Sequence, residues 1–186
     1  MAPFPWAPFP WAVECAALIV ALWAVTRVPA AEAWMACLLG WSLLALAWID
    51  VRAMILPDIL TLPLLLMGLL VTEVRNPAAL TDHALAAALG YSGLCLLAWS
   101  YRRFRGQDGL GPGDAKLLGA MGAWLGPGLL PAIVFLAACS GLLFAGVLML
   151  AGKRVTPATA LPFGPCLALA GWILWLYGDT LSDWLD

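Results

Sequence analysis

Charge is what this sequence has least of. Only 11% of its 186 residues are Asp, Glu, Lys or Arg, against roughly 25% in a soluble domain. Nine basic residues face eleven acidic ones. No basic domain is present to hold a phosphate backbone, so no nucleic-acid partner is expected. Histidine is almost absent: His83 is the single one. A Ser-His-Asp or Cys-His triad and a His-rich metal site are therefore disfavoured. The cysteines Cys15, Cys37, Cys95, Cys139 and Cys166 are scattered through apolar sequence and form no C-x-x-C pair. That leaves neither a zinc ribbon nor a redox motif nor a secreted disulfide scaffold, and reads them as small buried hydrophobes. No metal and no cofactor is expected.

Apolar sequence fills the space that charge leaves, with 64% of residues hydrophobic. A bilayer core takes about 20 helical residues. Apolar runs fall near 12–28, 33–50, 57–73, 82–101, 114–128, 129–151 and 161–178. The expected fold is an all-α, polytopic membrane helix bundle of about seven transmembrane helices, within a range of six to eight. The lipid bilayer is thus one partner. The fifth run is the weakest, being short and interrupted by Gly119, Gly122, Gly126 and Gly128.

The chain begins with a repeat, Ala2-Pro3-Phe4-Pro5-Trp6 and then Ala7-Pro8-Phe9-Pro10-Trp11. With no basic stretch before an apolar core, it is not a secretory signal. Residues 1–11 read as a Pro/Trp-rich interfacial segment, 12–178 as one membrane domain and 179–186 as an acidic tail. Seven spans place Arg52, Arg102, Arg103, Arg105, Lys116, Lys153 and Arg154 on one side and only Arg27 and Arg75 on the other. The positive-inside rule then puts the first side, and the N-terminus, in the cytoplasm. His83 falls on the opposite face.

Carboxylates at membrane depth are costly and usually functional. Asp50 closes the second apolar run and Asp114 opens the fifth, directly after Gly109-Leu110-Gly111-Pro112-Gly113. Both fall on the cytoplasmic side. Held close together in a low-dielectric site, one activates water while the other donates a proton. Asp114, opening a helix with Lys116 two residues on, is read as the base. Asp50, at the end of an apolar helix beside Trp48 and Ile49, is read as the acid. The alternative is that the two are merely polar helix ends, Asp114 acting as a cap. Gly119, Gly122 and Gly126 give the fifth helix a small face, which offers a way to pack it against the helix bearing Asp50.

These blocks resemble the type IV prepilin peptidases, intramembrane GxGD aspartyl proteases of bacteria. Gly111-Pro112-Gly113-Asp114 resembles the G-x-G-D motif and Ala115-Lys116-Leu117-Leu118 its continuation. Asp50-Val51-Arg52 through Leu56-Pro57-Asp58, with Leu60-Thr61-Leu62-Pro63, resembles the first aspartate block. Pro162-Phe163-Gly164-Pro165 resembles a motif near the end. The resemblance implies a catalytic pair, Asp50 and Asp114. It gives supporting places to Asp58, in a loop after Pro57, and to Gly111, Gly113, Lys116, Pro162, Phe163, Gly164 and Pro165. It implies an endopeptidase in the bacterial inner membrane that removes the cytoplasmic leader of type IV prepilins or type II secretion pseudopilins. Longer members carry a four-cysteine zinc domain before a segment that Pro10-Trp11-Ala12-Val13-Glu14 resembles. The chain is accordingly expected to be a short form without that domain and without N-methyl transfer. Two other readings stand beside this one: a proton- or ion-coupled transporter component, and a catalytically inactive paralogue that binds pilins.

Overall fold

The computed structural model describes residues 10–106, 109–152 and 161–182. They form α1 (Pro10–Arg27), α2 (Ala33–Ala53), α3 (Asp58–Arg75), a short 3-10 turn (Pro77–Ala79), α4 (Leu80–Arg105), α5 (Pro112–Leu125), α6 (Leu130–Leu150) and α7 (Gly164–Ser182), with no strand among them. The protein is an all-α helical membrane protein. Ala33–Ala53, Pro77–Arg105 and Leu130–Leu150 are long and apolar enough to cross a bilayer, while the apolar part of α7, Gly164–Gly178, is shorter. Of the N-terminal repeat, residues 1–9 lie outside the described residues, and Pro10 and Trp11 open α1. Lys153, Arg154, Asp183 and Asp186 also lie outside the described residues.

Large apolar side chains cover much of the outer surface, among them Leu18 and Leu22 on α1, Leu66 and Leu70 on α3, and Phe135 and Leu143 on α6. In water such a surface would aggregate; lipid solvates it. The interior is built around the shortest α-helix. Ten of the fourteen residues of α5 are buried, including the unbroken stretch from Leu117 to Trp124. It packs on α4, α3 and α7, and lightly on α6, while α2 lies against α1 and α7.

Glycine sets the closeness of that packing. A Cβ on Gly122 would lie 2.6 Å from the carbonyl of Ala86, and one on Gly119 would lie 3.1 Å from the Ala87 oxygen. From the α4 side, a Cβ on Gly90 would reach 3.0 Å from the Leu118 oxygen. The two backbones touch, which only small residues permit. The small face of α5 therefore meets α4, not the helix bearing Asp50 as the sequence had pointed to. The reason is complementary spacing: Ala86, Ala87 and Gly90 give α4 its own small face.

The other face of α5 is fixed by Trp124. Its indole N–H donates to the Leu64 carbonyl at 2.8 Å. Its ring lies where a side chain on Gly68 would be, 2.6 Å from that position. The end of α5 remote from Asp114 is held by His83, whose Nδ1 is 3.0 Å from the Ala123 oxygen and 3.2 Å from the Thr72 hydroxyl. Gly126 then stops the helix at φ +74°, a conformation open to glycine at little cost.

This geometry predicts a paired result in detergent. Gly122→Ala should lower thermal stability by about 1–3 kcal/mol through forced overpacking. Gly93→Ala, on the same interface helix but with open space around it, should be neutral or stabilise by up to about 1 kcal/mol through helix propensity. Thermal unfolding of the two variants checks it.

Candidate active site

Asp50 and Asp114 are 6% and 7% exposed, and no other charged side chain among the described residues is buried. Both line one cavity of about 1510 Å³. This is larger than the roughly 300–1,000 Å³ usual for small-molecule sites. The helices deliver them from opposite chain directions: Asp50 lies in the last turn of α2 and Asp114 in the first turn of α5. Helix ends bring free backbone groups with them, and each carboxylate uses one. Asp50 accepts the N–H of Gly164, the first residue of α7, at 3.0 Å. Asp114, third residue of its helix, accepts the N–H of the N-cap Gly111 at 3.2 Å.

The glycines and prolines of the motifs have local reasons. Pro112 stands at the first position of α5, where its fixed φ suits the helix and its missing N–H costs nothing. A Cβ on Gly113 would lie 2.7 Å from Cβ of Leu56, in the connection between α2 and α3. A Cβ on Gly164 would lie 2.7 Å from the Asp50 carboxylate oxygen that its N–H bonds. Any side chain there displaces the carboxylate. Pro162 and Phe163 line the cavity. Pro165 is in the first turn of α7 and is not part of the lining.

Two sequence readings change. Asp58 is the first residue of α3 rather than a loop residue, since Pro57, extended at φ −72° and ψ 136°, caps the helix from outside. Lys116 turns away from Asp114 and pairs with Asp58. One turn of helix is 3.6 residues, so Lys116 projects from a different side of α5 than Asp114 does. The pair ties the start of α5 to the start of α3 at the rim of the cavity. Being partly exposed, it adds about 0–1 kcal/mol.

Several cavity groups carried no sequence signal of their own. Tyr101 on α4 packs on Gly109, where a Cβ would be 2.6 Å from the ring. Met54 lines the cavity too. It ends α2 in the left-handed region at φ +55°, where a non-glycine residue costs on the order of 1–2 kcal/mol. The cysteines do not share one environment: Cys15 and Cys139 are exposed, Cys37 and Cys95 half-buried, and Cys166 alone is buried. A lipid-facing helix position accepts an apolar thiol without burying it, so the reading of all five as buried was too broad. Cys166 lines the same cavity as the two aspartates. Its place two residues after Gly164 on α7 is the signal that locates it.

Comparison with known proteins bears on this arrangement. The type IV leader peptidase family matches residues 37–146. A prepilin leader peptidase/N-methyltransferase of Aeromonas salmonicida is 41% identical over 168 residues, which are 90% of this chain and 57% of the relative. Proteins of the same description from Pseudomonas aeruginosa and Xanthomonas campestris are 41% and 40% identical, over 78% and 80% of this chain and 50% and 51% of theirs. The chain thus spans about half the length of the curated relatives it matches. No solved structure matches it. With the match covering Asp50, Asp114 and the helices between them, the chain belongs to the type IV leader peptidase family.

Proposed function

We propose that the chain is an intramembrane aspartyl endopeptidase that removes the cytoplasmic leader of type IV prepilins or type II secretion pseudopilins. One observation carries this: the only buried charged groups among the described residues are two carboxylates that line a single cavity. The relatives are described as acting on the prepilin leader. The methyl transfer named beside it is not part of the proposal.

The chemistry follows from what the cavity holds. Asp50 and Asp114 are the catalytic residues, and no histidine lines the cavity to activate a serine or thiol. Water is the nucleophile. One carboxylate takes its proton as it attacks the peptide carbonyl, and the other gives a proton to the departing nitrogen. The backbone donors at Gly111 and Gly164 fix the orientation of the pair before substrate arrives, so little reorganisation is left for the reaction step. Gly113 and Gly164 support the site by allowing close approach, and Lys116 and Asp58 by holding α5 to α3. The protein sits in the bacterial inner membrane with this site on the cytoplasmic side, where the positive-inside rule puts the ends of α2, α4 and α6.

Three outcomes are expected. Asp50→Asn and Asp114→Asn should each lower prepilin cleavage by at least about 100-fold while the protein still accumulates in the membrane. Leader removal in co-expressing cells, read by gel shift, checks this, and substantial activity in either variant overturns the assignment. Gly164→Ala should slow cleavage at least about tenfold by pushing Asp50 off its donor, a loss of about 1.4 kcal/mol in transition-state stabilisation. Gly146→Ala, with open space around it, should leave the rate unchanged. Reporter fusions should place the N-terminus in the cytoplasm and the C-terminus outside; the reverse would move the site to the other face.

A further inference from the structure

Asp114 takes a hydrogen bond from the residue three before it. Gly111 donates its N–H to the carboxylate at 3.2 Å, and its carbonyl accepts the Asp114 N–H at 3.2 Å. The first distance is at the long end of the range for such bonds, so a small retreat of the chain ahead of α5 breaks it. No backbone hydrogen bond ties Gly109 or Leu110 to another element among the described residues. Packing therefore sets where this stretch lies. Leu110 is half-buried against the core. Gly109 lies on the ring of Tyr101 of α4: a Cβ there would be 2.6, 2.8 and 3.2 Å from the ring atoms Cδ1, Cε1 and Cγ. Gly109 is not among the glycines with positive φ, so its backbone shape does not demand glycine. Space does, because any side chain would lift the main chain off the ring. Alternate glycines of the run thus admit different neighbours, Tyr101 at Gly109 and Leu56 at Gly113.

Building on the peptidase reading, we infer that Tyr101 is a positioning residue for the reaction. Its ring seats Gly109 and so holds the Gly111 N–H within reach of Asp114. The contact is made by ring carbons, and the hydroxyl has no part in it. The role therefore belongs to the aromatic ring and is open to phenylalanine. Tyr101 acts through Gly109 and Gly111, not through the substrate, so its loss should slow the reaction step rather than weaken binding. Misplacing a reacting group by about 1 Å can cost about 100-fold in rate. The reading also gives α4, which carries neither aspartate, a part in holding one of them. It accounts for the one glycine of the run that neither touches Asp114 nor belongs to α5.

A double-mutant cycle tests it. Rates of leader removal from a full-length prepilin are measured over a range of prepilin concentrations in detergent. The enzymes are the parent, Tyr101→Phe, Tyr101→Ala, Gly109→Ala and the Tyr101→Ala/Gly109→Ala double variant. Tyr101→Ala and Gly109→Ala should each lower kcat about tenfold or more, with KM within about twofold of the parent. Tyr101→Phe should keep kcat within about threefold of the parent. The double variant should be no slower than Tyr101→Ala, because removing the ring removes the clash that the added methyl makes. Such non-additivity is the signature of two residues acting through one contact. Losses that multiply in the double variant, or a Tyr101→Phe enzyme as slow as Tyr101→Ala, overturn the positioning role. So does a raised KM with unchanged kcat in Tyr101→Ala, which marks a substrate contact instead. Full activity of every variant beside an active parent overturns this inference alone. No cleavage by the parent overturns the peptidase reading with it.

Discussion

A carboxylate buried among apolar helices is costly unless hydrogen-bond donors are fixed beside it. The molecule meets that constraint twice with the same device. A helix N-terminus has backbone N–H groups with no partner inside the helix, and such groups favour negative charge. Asp50 uses the first N–H of α7 and Asp114 the N–H just before α5. Both helices must therefore begin beside the ends that carry the aspartates, and their first residues must be small enough to approach. The Gly-Pro-Gly-Asp and Pro-Phe-Gly-Pro blocks are the sequence form of that requirement.

Holding α5 in place is the second demand, since a fourteen-residue helix has little length to anchor it in a bilayer. Contact on three sides supplies what length does not. α4 touches it backbone to backbone through Gly119 and Gly122, α3 receives Trp124 at Gly68, and α7 covers it along the core. The exposed sides of the bundle can then stay simple and apolar.

Much of this was legible in the sequence. Seven apolar runs correspond to the seven α-helices among the described residues, because sustained hydropathy marks the helices of a membrane protein. Even the weak fifth run, broken by glycine, proved to be a separate helix ended by Gly126. Asp50 and Asp114 stood out because charge was so scarce around them. What the sequence did not disclose was pairing between helices. Which helix met the glycine face of α5, and which partner Lys116 chose, depend on the rotation of each helix about its axis, and almost uniformly apolar helices carry little periodic signal for that. Cys166 and Tyr101 were hidden for a related reason: in a chain that is 64% hydrophobic, an apolar residue facing the cavity looks like one facing lipid.

The central claim is that Asp50 and Asp114 act on one substrate atom together. The most direct measurement is an experimental structure with a peptide mimic bound, carrying a hydroxyl where the tetrahedral carbon of the cleavage intermediate would form. That hydroxyl should lie within about 2.5–3.2 Å of a carboxylate oxygen of both Asp50 and Asp114. A hydroxyl bonded to one aspartate alone, or a mimic seated away from the pair, would contradict their joint action.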